Sequence, residues 1–283
     1  MRAIIQYLYS NKVLNLLIIC VYYLAVVLPH EWIGKLIERT LDRPLGREQY
    51  NLIIASISVI VLGCIIYWIY KQVAKLSRVE IKLLVSLFIL CIFLILLALK
   101  TIVVINIELI HVLQYGILAF MIFPFVRNFR EALFWAVCMG ALDELYQYLV
   151  LAPDKNDYFD FNDVILNLLG AALGLILIRI SGVQGSRDYT FLRSPATRVM
   201  IFSCILIVLG FTFSWISIGP PDPDTTDAGF YFIKNYEEGF WHVLKKADPF
   251  HIVRPVEGLV IISVLFNTFK TIGMNFGQES ADS

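Results

Sequence analysis

Polar side chains recur inside three consecutive apolar segments of the chain. They are carboxylates, amides, an imidazole and a phenol, the groups that act as acids, bases and ligands when they lie within a membrane. In order, the three sets are Glu108, His111, Gln114 and Tyr115, then Asp143, Glu144 and Gln147, then Asp160, Asp163 and Asn167. Offsets of three, four and seven residues place each set on one face of a helix.

The three sets are predicted to lie at one depth in a membrane. His111 stands near the start of its segment, Asp143 near the end of the next and Asp163 near the start of the third. Successive membrane helices run in opposite directions, so these positions meet at one level. A carboxylate at the centre of a membrane helix costs about 2.5 to 3.5 kcal/mol on insertion scales, so such groups face the bundle and find partners. The spacing therefore predicts one shared polar site.

One hypothesis is an outward-facing enzymatic site that acts on a lipid or a lipid-linked envelope precursor. His111 suits a general base or acid, and neighbouring carboxylates could orient it or share a divalent cation, because hard cations prefer oxygen ligands. The predicted catalytic residues are His111, Asp143, Glu144 and Asp163, the predicted substrate-binding residues are Glu108, Tyr115, Gln147 and Asn167, and the candidate metal ligands are Asp143, Glu144, Asp160 and Asp163.

Two other hypotheses stay open from the residues alone. The polar groups could serve only to hold the helices together, since Asn, Gln and Tyr form hydrogen bonds between membrane helices. Each such bond contributes roughly 0.6 to 2 kcal/mol of stability. The site could also bind an amphiphile, or relay protons through Glu108, His111 and Asp143. Packing alone does not require Asp143, Glu144 and Asp163 together, and transport is disfavoured because no inverted repeat of broken helices is visible.

The whole chain has the composition of a multi-pass membrane protein. Of its 283 residues, 59% are hydrophobic and 16% charged, and the mean hydropathy is +0.74. Lys plus Arg and Asp plus Glu both number 23, with no basic domain. We therefore expect membrane lipids as partners and no nucleic acid.

Eight apolar segments are predicted to cross the membrane as helices, since a span needs roughly 20 apolar residues and lipid offers no partner to unpaired backbone groups. They are residues 13–28, 51–70, 83–99, 101–126, 131–151, 163–180, 199–218 and 256–269. The last contains Glu257, and its alternative position is the membrane interface. The predicted fold class is all-α, a polytopic transmembrane helical bundle of about seven to eight spans.

The predicted organisation has three parts. Residues 1–81 hold N-terminal spans with an amphipathic interfacial segment at 30–50, residues 82–180 hold the polar core, and residues 181–283 hold C-terminal spans. An aromatic outer loop covers 219–254. Its Phe and Tyr residues are predicted to anchor in the membrane interface, with a cover over the site as the alternative.

Basic residues predict the orientation. Around the middle spans, one side carries ten Lys and Arg residues, whereas the other carries only Lys100 and Lys155. The basic side is expected to be cytoplasmic, which places the N-terminus inside and the polar site near the outer surface.

The polar segments themselves carry a family resemblance. Residues 107–120, 137–150 and 161–177 read IELIHVLQYGILAF, VCMGALDELYQYLV and FNDVILNLLGAALGLIL. They contain His-x-x-x-Tyr-Gly, Gly-x-x-Asp-Glu-x-x-Gln and Asp-x-x-x-Asn-x-x-Gly-x-x-x-Gly elements. In this order the elements resemble the VanZ-like family of membrane proteins, over roughly residues 82–180.

The resemblance implies a multi-pass protein of the bacterial cytoplasmic membrane with a role in the cell envelope. The family takes its name from an accessory protein of glycopeptide-antibiotic resistance, directed at teicoplanin. The family's arginine soon after the Gln has no clear counterpart here, where Lys155 is the only cation. The residues on the family's motif positions are His111, Tyr115, Gly116, Asp143, Glu144, Gln147, Asp163, Asn167, Gly170 and Gly174.

Overall fold

The architecture is a bundle of helices with one small pair of strands. A computed structural model describes residues 1–37, 39–40, 43–74, 76–103, 106–151, 157–186, 194–220, 229–234, 239–243 and 249–273. Within these ranges the helices are α1 (Arg2–Ser10), α2 (Lys12–Val27), α3 (His30–Ile37), α4 (Arg43–Leu45), α5 (Arg47–Val73), α6 (Arg78–Thr101), α7 (Ile110–Val126), α8 (Phe129–Tyr146), α9 (Phe161–Ile180), α10 (Pro195–Thr212) and α11 (Pro255–Phe269). The strands are β1 (Ile216–Ser217) and β2 (Phe230–Tyr231), which pair in parallel.

Each predicted span corresponds to one of these helices, and the all-α class is confirmed. Five of the described helices are long and apolar enough to cross a membrane, or six if α1 and α2, bent by 107°, form one broken span. Helix α7 is apolar but has 17 residues, and α8 carries four charged residues. The count of seven to eight spans stays a prediction.

Several helix boundaries differ from the predicted ones. The chain bends at Asn11, so the first span is preceded by a separate helix. Helix α7 begins at Ile110, after a 3-10 turn over Asn106–Leu109, whereas the prediction started its span at residue 101. The seventh span ends at Thr212 because the chain leaves the helix and enters β1.

Helix α9 lies at the centre of the bundle. Apart from Asn162, Asp163, Asn167 and Arg179 its residues are apolar or glycine, and they cover every side of the helix between its ends, which is typical of a helix that neighbours surround. It packs against α6, α7, α8 and α11, and 83% of its apolar stretch is buried. Asp160 caps its N-terminus by accepting from the backbone N–H groups of Asn162 and Asp163. At its C-terminal end, buried Arg179 forms an ion pair with Glu80 at the start of α6.

Glycines bring α7 and α9 into backbone contact. A Cβ atom added to Gly170 would lie 2.4 Å from the carbonyl oxygen of Val112, and one added to Gly174 would lie 2.3 Å from that of Gly116. No side chain can occupy these positions without moving backbone. This glycine seam, formed by Val112, Gly116, Gly170 and Gly174, fixes α7 against α9 directly beside the predicted polar residues.

Other helices form the periphery. None of the apolar stretch of α5 is buried, and α10 is similarly exposed. In α3, part of the predicted interfacial segment, Trp32, Ile33 and Leu36 are exposed. These surfaces leave apolar side chains on the outside of the bundle, which fits a lipid surrounding.

Part of the aromatic loop folds back onto the bundle. Residues 229–234, here called the roof, pair with the turn before α9: Phe159 N–H donates to Phe232 O over 2.8 Å, and Lys234 N–H donates to Asp157 O over 2.6 Å. Phe230 and Phe232 pack edge-on against Tyr148 and Phe159. Phe230 and Phe232 are half-buried by this packing, while Phe240 and Trp241 are about half exposed. The position of these residues at the membrane interface stays a prediction.

Candidate functional site

His111 lies in the first turn of α7 and is almost completely buried. Its Nδ1 lies 3.0 Å from Asn167 Oδ1, and its Nε2 lies 3.5 Å from Asp163 Oδ2. Both partners are on α9 and are four residues apart, so they lie on the same face of that helix, one turn apart, and both contact the imidazole. The glycine seam one to two turns along the helices keeps this geometry fixed.

Asp143 lies on α8 and is fully buried, with a donor for each carboxylate oxygen. Tyr115 O–H donates to Oδ2 over 3.1 Å, and Gln147 Nε2 donates to Oδ1 over 3.2 Å. Gln147 also donates to Glu144 Oε1 over 3.3 Å, so one amide links two carboxylates. Tyr115, Asp143 and Gln147 thus form a satisfied network, as buried polar groups require.

The loop before α9 supplies further polar groups. Enclosure at the helix terminus raises the pKa of the Asp160 carboxyl, although the two backbone N–H groups that it caps act against this. Asn162 fastens the loop to its surroundings: its Nδ2 donates to Ile102 O and to His251 O, and its Oδ1 accepts from Val253 N–H, each over 2.9 Å. The start of α9 is therefore held against the end of α6 and the chain leading into α11.

Three side chains converge where these elements meet. One ligand atom each from His111, Glu144 and Asp163 lies within 4.8 Å of the others, and all three residues are buried. Asp163 Oδ1 and Asn167 Nδ2 are also buried and have no hydrogen-bond partner among the described residues. Unsatisfied buried polar atoms are rare and point to an additional partner.

A cavity of about 160 Å³ adjoins this cluster. Its lining combines four carboxylates with one amide and two phenols, with no Lys or Arg among the described residues that line it: Glu144, Asp157, Asp160, Asp163, Gln147, Tyr148 and Tyr158. Burial raises the pKa of the Tyr158 phenol, and the negative charges of Asp160 and Glu108 raise it further. The cavity is thus lined mainly by acidic groups, of which Glu144 and Asp163 are buried.

The roof contacts two residues of the cavity lining, Tyr148 and Asp157. Tyr148, which lines the cavity, donates its hydroxyl to Tyr231 O over 2.5 Å. Lys234 Nζ lies 4.2 Å from the centroid of the Tyr148 ring, a cation–π contact that places a positive charge at the edge of the acidic cavity.

A family model described as VanZ/LLP1 matches residues 13–182. The chain belongs to the VanZ/LLP1 family. No curated protein and no solved structure matches the chain. The VanZ/LLP1 region begins well before residue 82, so α2 and α5 belong to it together with the motif helices, whereas the roof lies outside it.

The VanZ/LLP1 motifs come together as a site. Two networks make up the cluster: His111 with Asp163 and Asn167, and Asp143 with Tyr115, Gln147 and, through Gln147, Glu144. They meet where His111, Glu144 and Asp163 come within 4.8 Å of one another. Glu108 is half-buried in the 3-10 turn before α7 and is not among the residues that line the cavity; after burial and Asp160, its negative charge contributes to the raised pKa of Tyr158. The contact of Gln114 with another helix is through its backbone: its carbonyl oxygen accepts a hydrogen bond of 3.0 Å from Tyr22 O–H. Lys155 lies outside the described residues.

Sequence reasoning missed Tyr148, Asp157, Tyr158 and Lys234. Tyr148 follows Gln147 directly, and neighbouring residues of an α-helix point about 100° apart. A π-helical turn over Gln147–Leu151 changes that direction and brings Tyr148 to the cavity. Lys234 is separated from Tyr148 by 86 residues of chain (234 minus 148), and no local pattern predicts such a contact.

Proposed function

We propose that this VanZ/LLP1 protein binds the polar headgroup of a lipid or lipid-linked component of the bacterial cell envelope and acts on it with His111. The observation that carries the proposal is the polar cavity beside His111 at one end of a bundle whose outer helices are apolar. An amphiphile fits such a place, because its tail can stay in the lipid while its headgroup occupies the cavity.

The competing explanation is that the polar residues only hold the helices together. The network of Tyr115, Asp143 and Gln147 does this, because each group in it satisfies another. Packing gives no reason for the cavity, or for the buried Asp163 Oδ1 that has no described hydrogen-bond partner. These features support a ligand in addition to the structural network.

His111 is the group we expect to move a proton. Asn167 and Asp163 contact its two ring nitrogens, so these residues orient the imidazole, a role that the sequence suggested for Asp143 and Glu144. Glu144 and Asp163 line the cavity beside it, which places acid–base groups within reach of a bound headgroup.

We further propose that the protein resides in the bacterial cytoplasmic membrane with its N-terminus inside and the cavity near the outer surface. The distribution of Lys and Arg supports this orientation. Teicoplanin carries sugars and a lipid tail, so it has the amphiphilic chemistry that the cavity suits, and a role in glycopeptide resistance is part of the proposal.

The test is to identify what co-purifies with the full chain in mild detergent by mass spectrometry. Wild-type protein is expected to retain an envelope amphiphile that Glu144→Gln loses. Glu131→Gln is the matched control, since Glu131 lies on the same helix and is equally buried, at 3% exposure, but does not line the cavity. Teicoplanin is then added as a second ligand.

Equal amphiphile retention by all three proteins, with no difference in teicoplanin binding, would refute the proposed site. Loss in both variants would assign the effect to folding. Selective loss in Glu144→Gln, with Glu131→Gln unchanged, would support headgroup binding in the cavity.

A further inference from the structure

We propose that His111, Glu144 and Asp163 bind one divalent transition-metal cation. The proposal rests on the cavity of the proposed function but gives His111 a different role. With Nε2 on a metal and Nδ1 at Asn167, the imidazole is a ligand and does not move a proton, so the two roles are alternatives that the nitrogen coupling below distinguishes. The proposed ligand set is one nitrogen and two oxygens from the wider set of polar residues. A metal bound there would lie at the boundary between the helix bundle and the cavity, since Glu144 and Asp163 also line the cavity.

The distances suit a common ligand sphere. His111 Nε2 and Asp163 Oδ2 are 3.5 Å apart, and metal–ligand bonds of about 2.0 to 2.2 Å place two tetrahedral ligands roughly 3.3 Å apart. The Glu144 carboxylate lies within the same 4.8 Å group. The Glu144 carboxylate would have to move closer to the other two ligand atoms to complete a three-ligand set.

The orientation of His111 presents a lone pair to this position. Asn167 Oδ1 can only accept, so the Nδ1 that it contacts carries the hydrogen, and in the neutral imidazole Nε2 has its lone pair on the side of Asp163 Oδ2. A metal cation between Nε2 and Oδ2 would bind both atoms. The alternative is a second proton on the imidazole, which would donate to Asp163, and the metal titration below distinguishes the two. A carbonyl that accepts from the second nitrogen is also the usual support of a metal-bound histidine.

The second carboxylate has a comparable support. Gln147 donates to Glu144 Oε1 and orients the carboxylate, while Asp143 uses its two oxygens for Tyr115 and Gln147. Asp143 therefore belongs to the surroundings of the proposed metal, and Glu144 and Asp163 are its oxygen ligands. Such outer contacts commonly change metal affinity by about 10- to 100-fold.

Charge and unsatisfied atoms point the same way. Four carboxylates line the cavity, with no Lys or Arg in the described part of its lining, so a bound cation would offset their repulsion. Asp163 is nine-tenths buried, and its Oδ1 has no hydrogen-bond partner among the described residues. A metal ion bound by both carboxylate oxygens of Asp163 would supply the partner that Oδ1 lacks.

The ligand types favour Mn²⁺ or Zn²⁺, because imidazole suits transition metals and carboxylates suit the harder divalent ions. Three protein ligands leave positions open for water or for a headgroup oxygen on the cavity side. A phosphate-bearing headgroup would fit this arrangement best, with Lys234 at the cavity edge as a second positive charge.

The experiment is titration of Mn²⁺ into chelator-treated full chain in phosphatidylcholine nanodiscs, followed by electron paramagnetic resonance. Zwitterionic lipid avoids metal binding by anionic headgroups. We expect one Mn²⁺ per chain, with nitrogen coupling in the electron spin echo signal. Asp163→Asn and Glu144→Gln should weaken binding by at least about 100-fold, and His111→Gln should abolish the nitrogen coupling.

Glu131→Gln is the matched control, because it removes a buried carboxylate of α8 that does not line the cavity, and we expect less than about a threefold change. The nitrogen coupling is measured on the wild-type protein, so it tests for a histidine ligand even if one of the variants fails to fold. Absence of stoichiometric Mn²⁺ and Zn²⁺ binding, or nitrogen coupling that survives in His111→Gln, would overturn the proposal. Metal binding without any co-purified amphiphile would support the metal site while refuting headgroup binding.

Discussion

Asp143 and Asp163 are both buried carboxylates, yet their surroundings differ. Asp143 has a hydrogen-bond donor on each oxygen, whereas Asp163 faces His111 with one oxygen and has no described hydrogen-bond partner on the other. A buried carboxylate whose oxygens both accept hydrogen bonds is compatible with a stable fold. A buried carboxylate oxygen without a partner lowers the free energy of unfolding unless a ligand binds to it. The two residues therefore separate the structural part of the polar cluster from the part available to a ligand.

The hydroxyl of Tyr115 is predicted to stabilise the fold through Asp143. Tyr115→Phe should lower the free energy of unfolding by about 1.5 to 3 kcal/mol, because it removes a hydrogen bond to a buried carboxylate. The matched control is Tyr23→Phe, which removes a hydrogen bond of 2.8 Å to the neutral carbonyl of Met139 and should cost about 0.5 to 1.5 kcal/mol. Unfolding in mixed detergent micelles measures both, and equal losses would contradict the prediction.

At the scale of the helices, the glycine seam determines where the polar residues can lie. Gly170 and Gly174 let α9 touch the backbone of α7, and His111 and Asn167 meet just beyond that contact. The π turn after α8 then brings Tyr148 beside the same cavity. Two local features thus position the site: the close backbone contact between α7 and α9, and the π turn at the end of α8.

Gly170→Ala is predicted to separate α7 from α9. The added Cβ would lie 2.4 Å from the Val112 carbonyl oxygen, which belongs to the backbone and cannot rotate away. We expect a loss of about 1 to 3 kcal/mol or more, together with loss of metal or headgroup binding. Gly63→Ala is the control, since nothing lies within 4 Å of its added Cβ in α5, and alanine there should be neutral or stabilising.

The whole molecule has different polar groups at its two ends. Helix α9 has the acidic cavity at its N-terminal end and the buried Arg179–Glu80 ion pair at its C-terminal end. A helix of this length, about 1.5 Å per residue, spans roughly 30 Å, which is the thickness of the hydrocarbon core. The two ends are therefore expected at opposite membrane surfaces.

Cysteine labelling tests this polarity. Asp157 precedes α9 and Ser186 follows it, and both are exposed. In a background with the five native cysteines replaced by alanine, Asp157→Cys in intact cells should react with a membrane-impermeant maleimide. Ser186→Cys should react only after permeabilisation. The reverse pattern would place the cavity on the cytoplasmic side, and labelling of both in intact cells would exclude a transmembrane α9.

The helices and the polar faces were predictable because both depend on local periodicity. Spacing alone placed His111, Asp143, Asp163 and Asn167 in one site, and the family assignment is confirmed. The bend at Asn11 was not predictable, because α1 and α2 read as polar and apolar parts of one N-terminal segment. Their angle of 107° depends on what each helix packs against.

Periodicity also could not assign partners within the site. Asp143 and Glu144 are adjacent and point about 100° apart on α8, so only one can join His111. Which one does so depends on the rotation of α8 relative to α9. The contribution of the roof was equally inaccessible, since Lys234 and Tyr148 meet only through the path of the whole chain.

The roof also connects two distant parts of the chain at the cavity. Two backbone hydrogen bonds, from Phe159 N–H and Lys234 N–H, and the Tyr148 hydroxyl bond join residues 229–234 to the turn before α9 and to the cavity lining. The roof lies outside the VanZ/LLP1 region, whereas its partners lie inside it. Substitutions in the roof would therefore change the surroundings of Tyr148 and Asp157 without altering a family motif, so ligand selectivity could diverge between relatives that share the same polar residues.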